Sequence, residues 1–180
     1  MSRIHPVSHD ANPKTKNLLG LVEKQMGMVP NMIATMARSP AVAEAYLAFS
    51  QNLAIGGLPL KLREQIALTV SEANQSAYCL SAHSFLGRRA GLTESDLPDA
   101  RHGTASDPRT NAALVFARRM VEDRGHVNDE DLQEVRHAGY TDSEIVEIIA
   151  NVALTLFTNY FNEVAATDVD FPLAPSLAVV

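Results

Sequence analysis

The 180-residue chain has no tryptophan and a single cysteine, Cys79. One cysteine excludes an intrachain disulfide and any multi-cysteine zinc site, and it predicts a reducing, cytoplasmic setting. Basic residues are scarce too: 15 against 21 acidic ones, for a net charge of −6. A nucleic-acid binder needs a basic footprint to displace counterions from phosphate, so that class is excluded. Long apolar runs are also missing. The most apolar stretch, from Ile145 to Phe157, is broken by Glu147 and Asn151, and no membrane partner is expected. The opening Met1-Ser2-Arg3-Ile4-His5-Pro6 has no apolar core of a secretory signal. No long repeat and no low-complexity tract stands out.

What is present points to helices. Alanine occurs 25 times, hydrophobic residues make up 46% and charged residues 20%, a balance that suits one folded domain with a sizeable core. Punctuation marks the segments. The first 13 residues read as an extended arm, followed by a helix from Lys14 to Gly27 with Leu18, Leu21, Val22 and Met26 on one stripe. Pro30, Pro40 and Pro59 open a short helix and then helices over Ala41–Ala54 and Leu60–Asn74. A further helix, Ala77–Ala90, closes at Gly91, and a short one beginning at Thr93 to Asp96 is limited by Pro98.

Asp107-Pro108 caps a helix ending near Gly125, and Asn128 caps one ending at Gly139. Thr141-x-x-Glu144 is a capping box for the longest helix, whose stripe is Ile145, Ile148, Ile149, Val152, Leu156 and Tyr160. No window alternates with period two. The expected fold is all-α, a single domain over 1–180 with an arm at 1–13 and a tail at 172–180.

The densest chemistry is Ser76-Ala77-Tyr78-Cys79-Leu80-Ser81-Ala82-His83. On a helix, Cys79 and His83 are four apart and share a face. With Ser76 as N-cap, Cys79 stands in the first turn, where unpaired amides and the helix dipole favour a thiolate. A histidine one turn on can accept the proton. The competing reading is a small buried cysteine with a chance histidine.

Glu64 is the second feature, on a face with Leu60, Ala67, Leu68 and Ser71. Desolvated there, a carboxylate holds or passes a proton; the alternative is a surface ion pair with Lys61. His5 and His9 fall in the arm, and His102, His126 and His137 at helix ends or loops. Arg88-Arg89 and Arg118-Arg119 read as solvated faces or ion-pair partners. No metal site and no cofactor is expected.

Glu64, eleven residues, then Ser76-x-x-Cys79-x-x-x-His83 resembles the active-site signature of the alkylhydroperoxidase AhpD family, Glu-x11-Cys-x2-Cys-x3-His. That family shares an all-helical superfamily with the carboxymuconolactone decarboxylases. Gly27-Met28-Val29-Pro30-Asn31, Ser39-Pro40, Leu62-Arg63-Glu64, Asn74 and the tail from Phe157 through Asn159-Tyr160-Phe161-Asn162 to Asp170-Phe171-Pro172 look like its peroxidase-related branch. The resemblance implies an oligomeric AhpD-like domain, a trimer or hexamer. It implies Cys79 as the thiol that attacks a peroxide, with Glu64 and His83 as the proton relay and Tyr78 and Ser71 near the pocket.

Two departures stand out. Ser76 occupies the place of the resolving cysteine; it can cap the helix and donate to a thiolate, but it cannot close a disulfide. Glu163 stands where related tails carry a histidine. Without a second thiol, the sulfenic acid at Cys79 must be released by an external thiol reductant. The leading expectation is a peroxidase-like oxidoreductase for hydrogen peroxide or small organic hydroperoxides. The alternatives are a carboxymuconolactone decarboxylase-like lyase, which needs no thiol, and a non-catalytic oligomeric protein on the same scaffold.

Overall fold

Caps and breakers divide the chain almost where the sequence places them. The computed structural model describes residues 2–7 and 12–177. Among the described residues there are nine helices and no strand: α1 (Pro13–Met26), α2 (Asn31–Met36), α3 (Pro40–Ala54), α4 (Leu60–Ala73), α5 (Ala77–Arg89), α6 (Asp96–Arg101), α7 (Pro108–Glu122), α8 (Asp129–His137) and α9 (Asp142–Ala165). Asn12, Asp107, Asn128 and Thr141 each accept a backbone N–H at a helix start, and the last two complete capping boxes. Pro98 does not limit its helix as expected. It stands in the first turn of α6, where a missing N–H breaks no bond, and the helix runs on to Arg101.

Helix α4 is the axis of the fold and packs against α5, α6, α7 and α9. One core cluster lies between α4, α7, α8 and α9, around Ile66, Leu68, Leu114 and Ile148, all fully buried. A second surrounds Cys79, with Val22, Ile33, Met36, Ala43 and Tyr78. By length and composition α9 could cross a membrane, with mean hydropathy 1.2 over its most apolar window. It lies instead within the bundle, where its Glu147 accepts hydrogen bonds from the N–H groups of Gly57 (2.9 Å) and Leu58 (3.0 Å).

Several expected faces are turned. In α1, Val22 is buried but Leu21 and Met26 are exposed. In α9, Ile145, Ile148 and Val152 face the core, whereas Ile149 and Tyr160 face outwards. The buried face of its second half is polar: Thr155, Thr158, Asn159 and Asn162.

The termini dock on the chain's own body. The N–H groups of Arg3 and Ile4 donate to the Ala165 carbonyl, and that of Val7 to the Ala34 carbonyl. In the tail, the Ala174 N–H donates to Ser81 Oγ and the Pro175 carbonyl accepts from Arg101. His9 and the last three residues of the tail lie outside the described residues.

Candidate active site

The site is made by a turn. Helix α4 ends at Ala73, and Gln75 adopts a left-handed conformation at φ 55°. The Gln75 N–H then reaches back to the Glu72 carbonyl and the Ser76 N–H to the Ser71 carbonyl, both at 3.0 Å. This closed turn reverses the chain at once and starts α5 at Ala77. It lays the first two turns of α5 beside the middle of α4, bringing residues 79 and 83 to the face that carries residue 64.

Glu64, Cys79 and His83 line one cavity of about 190 Å³. Glu64 Oε2 and His83 Nδ1 are hydrogen-bonded at 2.8 Å. Both side chains are partly buried, His83 24% and Glu64 12% exposed, so the pair is shielded yet reachable. Lys61, the alternative partner for Glu64, pairs with Asp96 at 3.0 Å instead. With Nδ1 held by a carboxylate, the imidazole's orientation is fixed and its Nε2 is left to take or give a proton.

Cys79 is 2% exposed and lies in the third helical position of α5. Its sulfur receives the Asn162 side-chain N–H at 3.2 Å and has Thr158 Oγ1 at 3.8 Å. Asn162 Nδ2 also lies 3.2 Å from Met32 Sδ, so one amide is shared between two sulfurs.

The remaining walls are apolar and aromatic, from Met26, Met32, Ile33, Tyr46, Leu47, Tyr78, Leu86 and Phe171. Phe171 comes from the tail and packs edge-on to Tyr78, ring centres 5.8 Å apart. Its position is set by Asp170, whose carboxylate accepts the Asn31 N–H at 2.7 Å and so caps α2. Tyr78 Oη accepts the Met32 N–H at 3.2 Å. Burial pushes the Tyr78 phenol well above its ordinary range; the Met32 hydrogen bond opposes this and Asp170 adds to it. Burial likewise raises Tyr46, with negative charge at Cys79 and Glu64 reinforcing it. Both tyrosines are therefore neutral hydroxyls, donors rather than bases. Among the described residues, no cluster of three or more His, Cys, Asp or Glu is placed to hold a metal ion.

The carboxymuconolactone decarboxylase family matches residues 40–123, a span that contains all of α3 to α7. The crystal structure of an AhpD-core, uncharacterized peroxidase-related protein from Ralstonia eutropha JMP134 superposes with a TM-score of 0.84 at 27% identity, covering 94% of this chain and 92% of that one. The chain is similar to the AhpD/carboxymuconolactone decarboxylase superfamily in its helical core and in its overall fold.

The crystal structure of an uncharacterized peroxidase-related protein from Silicibacter sp. TM1040 has the same fold, superposing with a TM-score of 0.80 at 24% identity over 92% of both chains. The debrominase Bmp8, crystallised as a cysteine-to-alanine variant with 2,3,4-tribromopyrrole, matches at 0.80 with 25% identity over 94% of this chain and 92% of its own. Among curated proteins none matches the chain.

Against the superfamily's two-cysteine pattern, Ser76 is the position to place. Its side chain does not cap α5, contrary to expectation, and it makes no hydrogen bond to Cys79. It is fully buried, and its hydroxyl has no partner among the described residues. Ser71 is also corrected: it is fully buried and accepts from Asn159 Nδ2 at 3.1 Å, a polar tie between α4 and α9 away from the cavity wall.

The residues that sequence reasoning missed are Asn162, Thr158 and Tyr46. Asn162 was quoted within the superfamily-like tail but given no role. A signal did exist: Thr155, Thr158, Asn159 and Asn162 recur at helical spacing within an apolar helix, which marks a polar face needing buried partners.

Proposed function

We propose that the chain is a Cys79-dependent oxidoreductase that reduces hydrogen peroxide or a small organic hydroperoxide. One observation carries this reading: Cys79 and the hydrogen-bonded Glu64–His83 pair line the same cavity. The Cys79 thiolate attacks the terminal oxygen of ROOH, forming S–O as O–O breaks. The leaving alkoxide takes a proton from the His83–Glu64 pair, giving ROH and a sulfenic acid. An external thiol attacks that sulfur, releasing water and leaving a mixed disulfide. A second thiol frees Cys79, and the two thiols leave as a disulfide. Ser76 cannot take the part of the first thiol, so the reductant comes from outside, as a reducing, cytoplasmic setting provides.

A second reading uses the same parts. The wall of Tyr46, Tyr78, Phe171, Met26 and Met32 suits a flat apolar molecule better than hydrogen peroxide, and a debrominase is among the similar structures. In that chemistry the thiolate takes halogen from a halogenated aromatic as a sulfenyl halide and the pair protonates the ring carbon; one external thiol then displaces halide as a mixed disulfide, and a second frees Cys79 as the two leave as a disulfide. A decarboxylase-like lyase would use the pair without the thiol, and a non-catalytic scaffold neither.

Steady-state consumption of hydrogen peroxide, cumene hydroperoxide and a bromopyrrole with dithiothreitol, in wild type and Cys79→Ala, separates these. Peroxide turnover lost in Cys79→Ala supports the leading reading. Debromination without peroxide turnover replaces it with the second, and full activity in Cys79→Ala overturns both.

We further propose a homo-oligomer, trimer or hexamer, formed through an apolar face on α3 and α9. Val42 and Phe49 of α3 and Val146, Ile149, Phe157, Tyr160 and Val164 of α9 are all exposed there.

A further inference from the structure

A second cavity of about 80 Å³ is also lined by Glu64 and His83. It shares Tyr46, Ser50, Glu64, His83 and Thr158 with the Cys79 cavity, so the two meet at the pair. Arg63 lines it as well. The Arg63 side chain is half-buried, its Nε is sealed from solvent, and among the described residues it has no hydrogen-bond partner. The molecule's other inward arginine is treated differently: Arg101, 7% exposed, pairs with Glu72 at 2.6 Å and donates to the Pro175 carbonyl at 2.7 Å. A buried N–H without an acceptor is costly, and that cost is recovered when an acceptor arrives.

The cavity's other polar groups sharpen the point. Thr155 and Thr158 give their hydroxyl hydrogens to the carbonyls of Asn151 and Thr155, and the Asn151 amide donates to the Glu147 carbonyl. Glu64 Oε2 is engaged by His83. Tyr46 and Ser50 add hydroxyls, but among the described residues Arg63 is the only Lys or Arg lining this space, and its charge is not met by Glu64 within ion-pair distance. A planar fork of N–H groups matches a carboxylate in two bonds. The volume holds a carboxylate but no ring, which leaves the body of a larger ligand to the apolar Cys79 cavity.

We propose that Arg63 binds a carboxylate group in this second cavity. The site then takes small organic acids whose apolar, reacting end lies at Cys79. The placement of the reacting end rests on the function proposed above; the anion subsite does not, because binding is measured without turnover.

The test is isothermal titration calorimetry of the full-length chain with benzoate, benzyl alcohol and formate as probes, in wild type, Arg63→Met, Arg63→Lys and Cys79→Ala. Benzoate is expected to bind at least about tenfold tighter than benzyl alcohol, and formate to compete with it. Arg63→Met should erase that preference, leaving benzyl alcohol unchanged, and Arg63→Lys should retain part of it. Equal binding of benzoate and benzyl alcohol, no binding of either, or benzoate affinity untouched by Arg63→Met would each overturn the proposal. Should Arg63→Met fail to fold, formate that does not displace benzoate from wild type overturns it equally. Benzoate selectivity retained in Cys79→Ala supports the subsite even if wild type turns over no peroxide.

Discussion

At the residue scale, Glu64, Cys79 and His83 were legible because helical spacing alone puts the last two on one face, and the eleven-residue gap matches one α4–α5 turn. Asn162 was not, because the polar face of its helix signals a need for buried partners without identifying them, here the Cys79 sulfur at 3.2 Å. A hydrogen bond to a charged group contributes roughly 1.5–3 kcal/mol. Asn162→Leu should therefore slow the reaction of Cys79 with peroxide by about tenfold or more in stopped-flow measurement. Folding stability should change little, since the substitution also removes the buried Oδ1 that lacks a partner. His83→Ala and Glu64→Gln should lower kcat by about 10²–10⁴, the usual worth of positioned proton transfer. Wild-type kcat in either variant would remove the pair from the mechanism.

At the element scale, caps transferred from sequence to structure almost unchanged, because a cap is a local bond between residues three apart. Faces transferred poorly. The outward turn of Ile149 and Tyr160 is decided by what α9 packs against, and no local pattern records it. The α4–α5 turn offers a direct test. Gln75 carries a side chain at φ 55°, where glycine is unstrained. Gln75→Gly should stabilise the chain by about 0.5–1 kcal/mol, raising Tm by roughly 1–4 °C in calorimetry. A fall in Tm would mean that the Gln75 side chain contributes more than its backbone conformation costs. Glu147 is the opposite case, as its carboxylate meets the N–H groups of Gly57 and Leu58 on the α3–α4 loop. Glu147→Leu should cost about 1–3 kcal/mol, read from urea unfolding, by stripping two donors of their acceptor.

At the scale of the whole molecule, the all-helical class and the likeness to the superfamily were legible in the sequence, while the apolar outer face appears only once the helices are placed. Val146, Ile149, Ala153, Phe157, Tyr160 and Val164 follow one another at three- and four-residue steps along the outside of α9. A continuous exposed stripe of this kind favours self-association. Multi-angle light scattering at micromolar concentration should give a trimer or hexamer mass, and Ile149→Lys with Val164→Lys should lower it. A wild-type monomer would contradict the assembly. Cys79 chemistry is tested most directly by peptide-resolved mass spectrometry after one equivalent of hydrogen peroxide in the presence of dimedone. The expected product is the dimedone adduct of a sulfenic acid on Cys79, with none at that peptide in Cys79→Ala. An unmodified Cys79 in folded protein that has consumed its peroxide would contradict that chemistry.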